Sequence, residues 1–330
     1  MSQLNETITR ALRERAGDLL AAGTVDAFVG FTTGTVPMVM RPLVARTPEE
    51  ARQFVWNSFC VLNPANFLPE LVQTLSGEGQ VRVGVVATGC WSRNMVVQIQ
   101  ENRLRREQIH IVGIASRGMV LPRRVRALFA GREITRVEEK EHELVVSGPG
   151  FSETVSRWSV VRDNCRTCSH PNPVLFDEML TSHSTRNPVA DRFDQIEEIE
   201  RMTPEERYQW FQGEVATCIR CYACRNACPL CYCPTCFVDE SRPQWVGKSL
   251  DPVDVSLFHI LRAYHCAGRC TDCGACEAAC PMGIRMRLFT RKLEKDVLAL
   301  FGTEAGMDPG QPQPLATYGL DDPQDFMLRG

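Results

Sequence analysis

No run in this sequence is apolar for the ~18–20 residues that cross a bilayer, so a membrane span is not expected. The opening stretch, MSQLNETITRALRERAGDLLAAG, lacks the apolar centre of an export signal. No G-x-G-x-x-G follows a strand-like run, so the common dinucleotide fingerprint is missing. Neither sign of charge is in excess: 37 Lys and Arg stand against 40 Asp and Glu, for a net charge of −3. With a pI near 6.1, that balance offers no electrostatic footprint for nucleic acid or anionic lipid. No Ser/His/Asp set, carboxylate pair or open metal site competes as a catalytic centre, and no catalytic residue is assigned.

Cysteine is abundant, at 16 in 330 residues. Without an export signal, such density argues against a disulfide framework and for metal in a reducing compartment. The expected setting is the cytoplasm, under conditions that tolerate oxygen-sensitive clusters. Cys60, Cys90, Cys165 and Cys168 are scattered, whereas twelve cysteines crowd between Cys218 and Cys280.

That asymmetry, with an apolar content of 44%, divides the chain. An α/β domain with a parallel or mixed sheet is expected over residues 1–200. An α-helical dicluster domain follows over 201–301 and an extended tail over 302–330, the boundary falling in the polar stretch 185–203. The tail reads equally as disordered or as an extension that wraps a partner.

An amphipathic N-terminal helix should stop at Gly23. DAFVGF and VPMVM read as strands, and TPEEARQFVWNSF reads as a helix capped by Thr47. VRVGVVA, a helix capped by Ser92 and IHIVGIA form a βαβ unit. HELVVSG and ETVSRWSV suit a hairpin. In the second half TPEERYQWFQGEVATC, DVSLFHILRAYHCAG and IRMRLFTRKLEKDVLALF are helical.

Two cysteine runs share one spacing: Cys218-x2-Cys221-x2-Cys224-x3-Cys228-Pro229 and Cys270-x2-Cys273-x2-Cys276-x3-Cys280-Pro281. Three cysteines at intervals of three can surround one face of an iron–sulfur cube. The fourth, before a proline that redirects the chain, reaches the other cube. The expected sets are Cys218, Cys221, Cys224 and Cys280 on one 4Fe–4S cluster, and Cys270, Cys273, Cys276 and Cys228 on the other. Zinc sites use separated C-x2–4-C pairs, so a pair of zinc sites is the weaker reading. Cys231, Cys233 and Cys236 belong to neither run. They suit three corners of a further cluster, or a missing ligand for a site in the first half, better than packing thiols beside two prolines.

Cys90 lies where a strand passes through Gly89 into a helix, at the positive helix end that stabilises a thiolate. Cys165 and Cys168 form a loop C-x2-C pair, and Cys60 reads equally as a ligand or a buried hydrophobe. Cys266, His110, Trp210 and Phe211 read as structural, and His170 as packing before cluster donor. Arg103, Arg105, Arg106, Arg123, Arg124 and Arg126 could meet phosphates, but a solvated or carboxylate-paired face is the preferred reading.

Residues 203–300, with a helix between the two runs, resemble the α-helical ferredoxin domains of heterodisulfide reductase and succinate dehydrogenase iron–sulfur subunits. VGVVATGCWSRNMVVQIQENRLRREQIHIVGI, NCRTCSHPNPVLFDEML and the adjoining cysteine runs resemble the beta-subunit family of deazaflavin-dependent hydrogenases and formate dehydrogenases. Within it they look like the bacterial branch found with heterodisulfide-reductase-like complexes. The resemblance covers about residues 50–300. It implies a first-domain 4Fe–4S cluster, with Cys90, Cys165 and Cys168 at family ligand positions, and often FAD. Ser116 stands where the family commonly has another cysteine, so Cys60 is taken to complete that set.

The leading expectation is therefore an iron–sulfur electron-transfer subunit of a cytoplasmic, anaerobic multi-subunit oxidoreductase. Its clusters would relay electrons between a partner subunit and a redox carrier. The alternative is a flavoprotein that holds FAD, exchanges hydride with a nicotinamide or deazaflavin, and passes single electrons to its clusters. A zinc-rich interaction module is the third reading.

Overall fold

The computed structural model describes residues 3–78, 80–184 and 191–320. The chain forms two compact units, one of residues 1–95 with 102–189 and one of 96–101 with 190–330.

The first unit is built on eight strands: β1 (Ala27–Thr33), β2 (Met40–Ala45), β3 (Val83–Ala87), β4 (Ile109–Gly113), β5 (Arg136–Glu139), β6 (Glu143–Gly148), β7 (Phe151–Ser156) and β8 (Glu178–Met179). Five make a mixed sheet in the order β2-β1-β3-β4-β8. The β1–β3, β3–β4 and β4–β8 pairs are parallel, and only β2 runs antiparallel. The residues of β3 and β4 are buried throughout, as expected of Val- and Ile-rich parallel strands covered on both faces. The expected hairpin is β6–β7, joined by β5 into a separate three-stranded sheet.

Three local expectations need correction. The strand expected at VPMVM is displaced to β2, because Met38 takes a left-handed φ of +65° and turns the chain before Met40. The helix after Thr47 spans only Pro48–Ala51, although Thr47 accepts the capping bond from the Glu50 amide at 3.3 Å. Val55 donates instead to the Phe31 carbonyl at 2.8 Å. Phe54 and Trp56 enter an aromatic core with Phe28, Phe31 and Trp91, and burying such rings contributes about 1.5–3 kcal/mol each. Gly30 lets Phe54 in: a Cβ there would lie 2.7 Å from the ring. Lastly, the helix after β3 spans Gly89–Gln100 rather than starting at Ser92. Ser92 is inside it, its hydroxyl donating to the Gly89 carbonyl at 2.9 Å.

The second unit is helical between its cysteine loops. Its longer helices are Pro204–Val215, Pro252–His265 and Arg287–Phe301, all three expected from sequence. Thr203 and Glu206 form the full capping box. Residues 303–320 carry no helix or strand, yet they are held: the Gln100 side-chain amide donates to the carbonyls of Asp308 and Gln311 at 2.8 and 2.7 Å. Residues 321–330 of the tail, and 185–190 of the expected boundary, lie outside the described residues. Among the described residues no helix is long and apolar enough to cross a membrane.

Candidate metal centres

The two cysteine runs fold alike. Arg220 and Asp272, third in each run, have φ of +49° and +53°. Tyr222 and Gly274, fifth in each, have φ of +58° and +66°. A short helix follows both times, Ala223–Asn226 and Ala275–Ala279. Left-handed residues alternating with ordinary ones wrap the backbone into a concave loop that turns N–H groups inward, the shape that receives an anion. The Arg220 amide already donates to the Cys218 sulfur at 3.4 Å.

The fourth cysteine of the second run reaches the first. The Cys228 thiol lies near enough to Cys276 to act on its charge, and it hydrogen-bonds with Cys231 and Cys266. Cys218, Cys221, Cys224 and Cys280 line one small cavity, with Phe258, His259 and Ile284 also in its wall. Burial raises the Cys218 and Cys224 thiols above the ordinary range, and the Cys280 charge raises both further. Around the second loop, burial first, with Cys228 and Cys273 among its charged neighbours, raises Cys276. Cys270 is raised by burial, then by Glu294, Asp272 and Cys273. A buried neutral thiol disfavours the thiolate, and a bound cation reverses that order outright.

The surroundings suit a polyanionic cluster. Arg262 is 4% exposed, and although burial opposes its charge, Cys276, Cys228, Cys266 and Cys224 together hold it protonated. His259, 2% exposed, is driven down to about 4 by burial and by Arg262 and Arg220. Its Nε2, buried and without a protein partner, lies in the wall of the four-cysteine cavity. An N–H there would reach a cluster sulfide, the kind of bond that tunes cluster potential.

In the first unit, Cys90 sits in the first turn of Gly89–Gln100. Gly89 is pressed so closely on the His170 and Asn172 carbonyls that no Cβ would fit. The turn carrying Cys90 thus lies against the loop after Cys165 and Cys168. The Cys165 sulfur accepts from the Met119 amide at 3.3 Å. Ser116 donates its amide to the Pro171 carbonyl at 2.8 Å, and its hydroxyl accepts from the Gly118 amide at 3.1 Å. Ser116 is thereby built into the same loop system.

Cys60 is fully buried. Its sulfur faces the Val55 carbonyl and Asn57 Oδ1 at 3.7 and 3.8 Å. Burial pushes the thiol up to about 12.

Two of the six basic residues considered for phosphates are used internally. Arg106 pairs with Asp177 at 2.9 Å and Arg124 with Asp163 at 2.5 Å. His110 pairs with Glu178 at 2.9 Å. Trp210 and Phe211 both pack on the Phe289 ring.

Among the described residues no three His, Cys, Asp or Glu side chains gather on a point that would hold a single metal ion. The cysteine quartet of the first loop instead surrounds a cavity. Sequence reading missed His259 and Arg262 because both fall within an ordinary amphipathic helix pattern.

Within the second unit, residues 214–284 match the 4Fe-4S dicluster domain. Over 95 residues the chain is 34% identical to the F420-dependent formate dehydrogenase subunit beta of Methanocaldococcus jannaschii. That match takes in 29% of this chain and spans 24% of the relative. A chain of the F420-reducing [NiFe] hydrogenase complex from Methanosarcina barkeri aligns over 66% of this chain and 91% of its own, at 14% identity and a TM-score of 0.40. That likeness is too distant to carry an argument.

Proposed function

We propose that this protein is an iron–sulfur electron-transfer subunit of a cytoplasmic oxidoreductase complex of the hydrogenase, formate dehydrogenase or heterodisulfide-reductase-like kind. It relays electrons between a partner's catalytic site and a redox carrier. The observation that carries the reading is the joint lining of one cavity by Cys218, Cys221, Cys224 and Cys280, from two runs far apart in sequence. Cys270, Cys273, Cys276 and Cys228 form the second set. A bound 4Fe–4S cluster supplies a one-electron carrier. The chain's own residues would hold it by thiolates, balance its charge with Arg262 and present the buried His259 Nε2 in the cavity wall.

In the first unit Cys90, Cys165 and Cys168 are proposed to hold a third cluster with Cys60. The contact of the Cys90 turn with the Cys168 loop supports three of these. Cys90→Ala is expected to remove about four irons per chain, and unchanged iron would sink this site. A Cys60→Ser variant with unchanged iron would return the fourth corner to another group.

Anaerobic purification tests the whole reading. Iron and acid-labile sulfide are expected in equal amounts, without stoichiometric zinc. A colourless, zinc-loaded protein overturns it. The relative's name includes a deazaflavin cofactor, which keeps the flavin-bearing alternative in view. Stoichiometric FAD in the purified protein would replace the simple relay by that alternative.

A further inference from the structure

The three cysteines left over from the first run have a fourth. Cys231, Cys233 and Cys236 line a cleft of about 500 Å³ together with Cys266, distinct from the four-cysteine cavity above. We propose that Cys231, Cys233, Cys236 and Cys266 hold a further 4Fe–4S cluster within the second unit, a proposal that rests on the iron–sulfur reading above.

The donors reach the cleft by two routes. Cys266 caps the C-terminus of Pro252–His265, so a rigid helix delivers it to the loop that holds the other three. Tyr232, between Cys231 and Cys233, is pinned by its hydroxyl: it donates to the Glu101 carboxylate and accepts from Arg269 at 2.8 Å. Arg269 in turn clamps Glu101 with a second bond at 2.8 Å. Cys231 and Cys266 both interact with the Cys228 thiol, which sets them side by side.

The charge arrangement matches the donors. Arg225, Arg262 and Arg269 all face the cleft. Arg225 hydrogen-bonds the Cys236 sulfur while pairing with Asp239 at 2.6 Å. Arg225 and Arg269 already pair with Asp239 and Glu101, whereas the buried Arg262 has the surrounding thiols as its anionic neighbours. Four thiolates on an iron–sulfur core would supply that charge. Among the described residues no three of these side chains gather on a point that would hold a single metal ion, so a zinc ion is the weaker occupant.

The test uses the full chain, purified anaerobically. A Cys233→Ser/Cys236→Ser variant and a Cys266→Ser variant are each expected to lose about four irons and four sulfides per chain. Cys221→Ser serves as the reference. If it loses iron while the other two keep theirs, the dicluster stands and this site falls. If it too loses none, the underlying iron–sulfur reading has failed instead. Loss of the second run's cluster signal in Cys266→Ser, with total iron otherwise intact, would overturn the proposal in favour of a ligand to that cluster. Stoichiometric zinc lost from the variants would also overturn it.

A second measurement avoids variants. Cys233 is solvent-exposed. Under a phosphine reductant it should resist alkylation in iron-loaded protein and become labelled once the iron is chelated. Labelling before chelation would overturn the proposal, whatever the variants do.

Discussion

The two ferredoxin-type loops share a backbone and differ in how that backbone is anchored. In the first, Arg220 reaches outward from its left-handed position and donates to the carbonyls of Gly247 and Ser249, the latter at 2.9 Å, and to the Tyr222 hydroxyl at 2.9 Å. In the second, the equivalent residue is an acid. Asp272 pairs with Arg287 at 2.6 Å and with Arg291 at 3.5 Å, and Arg291 also pairs with Glu294 at 2.7 Å. One loop is tied to peptide carbonyls by a cation, the other to a helix by a buried ion network. The comparison teaches that cluster-binding conformation and its anchoring are separable. The spacing of the cysteines demands the first, while the neighbouring chain supplies the second by whatever chemistry lies at hand.

The largest effect should come from breaking the crossing of ligands between the loops. Cys280→Ser is expected to abolish the electron-paramagnetic signal of the first-run cluster, and Cys228→Ser that of the second. Either variant silencing only its own run's cluster would refute the crossed assignment. The next effect concerns anchoring. Asp272→Ala strands Arg287 in the interior and should cost about 3–5 kcal/mol, as removal of one member of a buried pair does. Arg220→Ala leaves carbonyls unsatisfied and should cost less, about 1–3 kcal/mol. The temperature at which cluster absorbance bleaches should therefore fall further for Asp272→Ala, and equal shifts would show that the two anchors are equivalent.

A smaller difference lies at the fifth position. Gly274 takes its left-handed φ without a Cβ, so Gly274→Ala should lower stability by about 1 kcal/mol. Tyr222 already bears that strain and recovers part of it by packing on Phe258, ring centres 5.3 Å apart. The same bleaching measurement checks it, and an unchanged midpoint would show that the second loop tolerates a Cβ. Smallest, and outside both loops, Thr203→Ala should cost about 1 kcal/mol through loss of the capping box. It should leave iron content unchanged, and lost iron would mean that this cap also supports the clusters.

Much of the helical unit was legible in advance because its signals are local. Thr203-Pro204 and Glu206 announce a helix start, and each cysteine run is a contiguous motif. The first unit was less legible where tertiary contacts overrode local pattern. The stretch after Thr47 carries a good cap, but Phe54 and Trp56 bury more surface in the aromatic core than they could on a surface helix. Met38 turns the chain where an apolar run suggested a strand. His259 and Arg262 looked like any residues of an amphipathic helix.

Sequence alone determined the chemistry and the local grouping of the donors. Sixteen cysteines, two C-x2-C-x2-C-x3-C-P runs and a third short cluster imply iron and set which three thiols can share a face, because a few residues of chain limit where their sulfurs can go. The sequence also named Cys280 as the partner of the first run, and only the tertiary structure set a fourth thiol beside Cys231, Cys233 and Cys236. A helix of fixed length carries Cys266 to the cleft of Cys231, Cys233 and Cys236, and the packing of the two loops brings Cys280 to Cys218, Cys221 and Cys224. Such closures span tens of residues, where local spacing sets no distance and the packing of helices does.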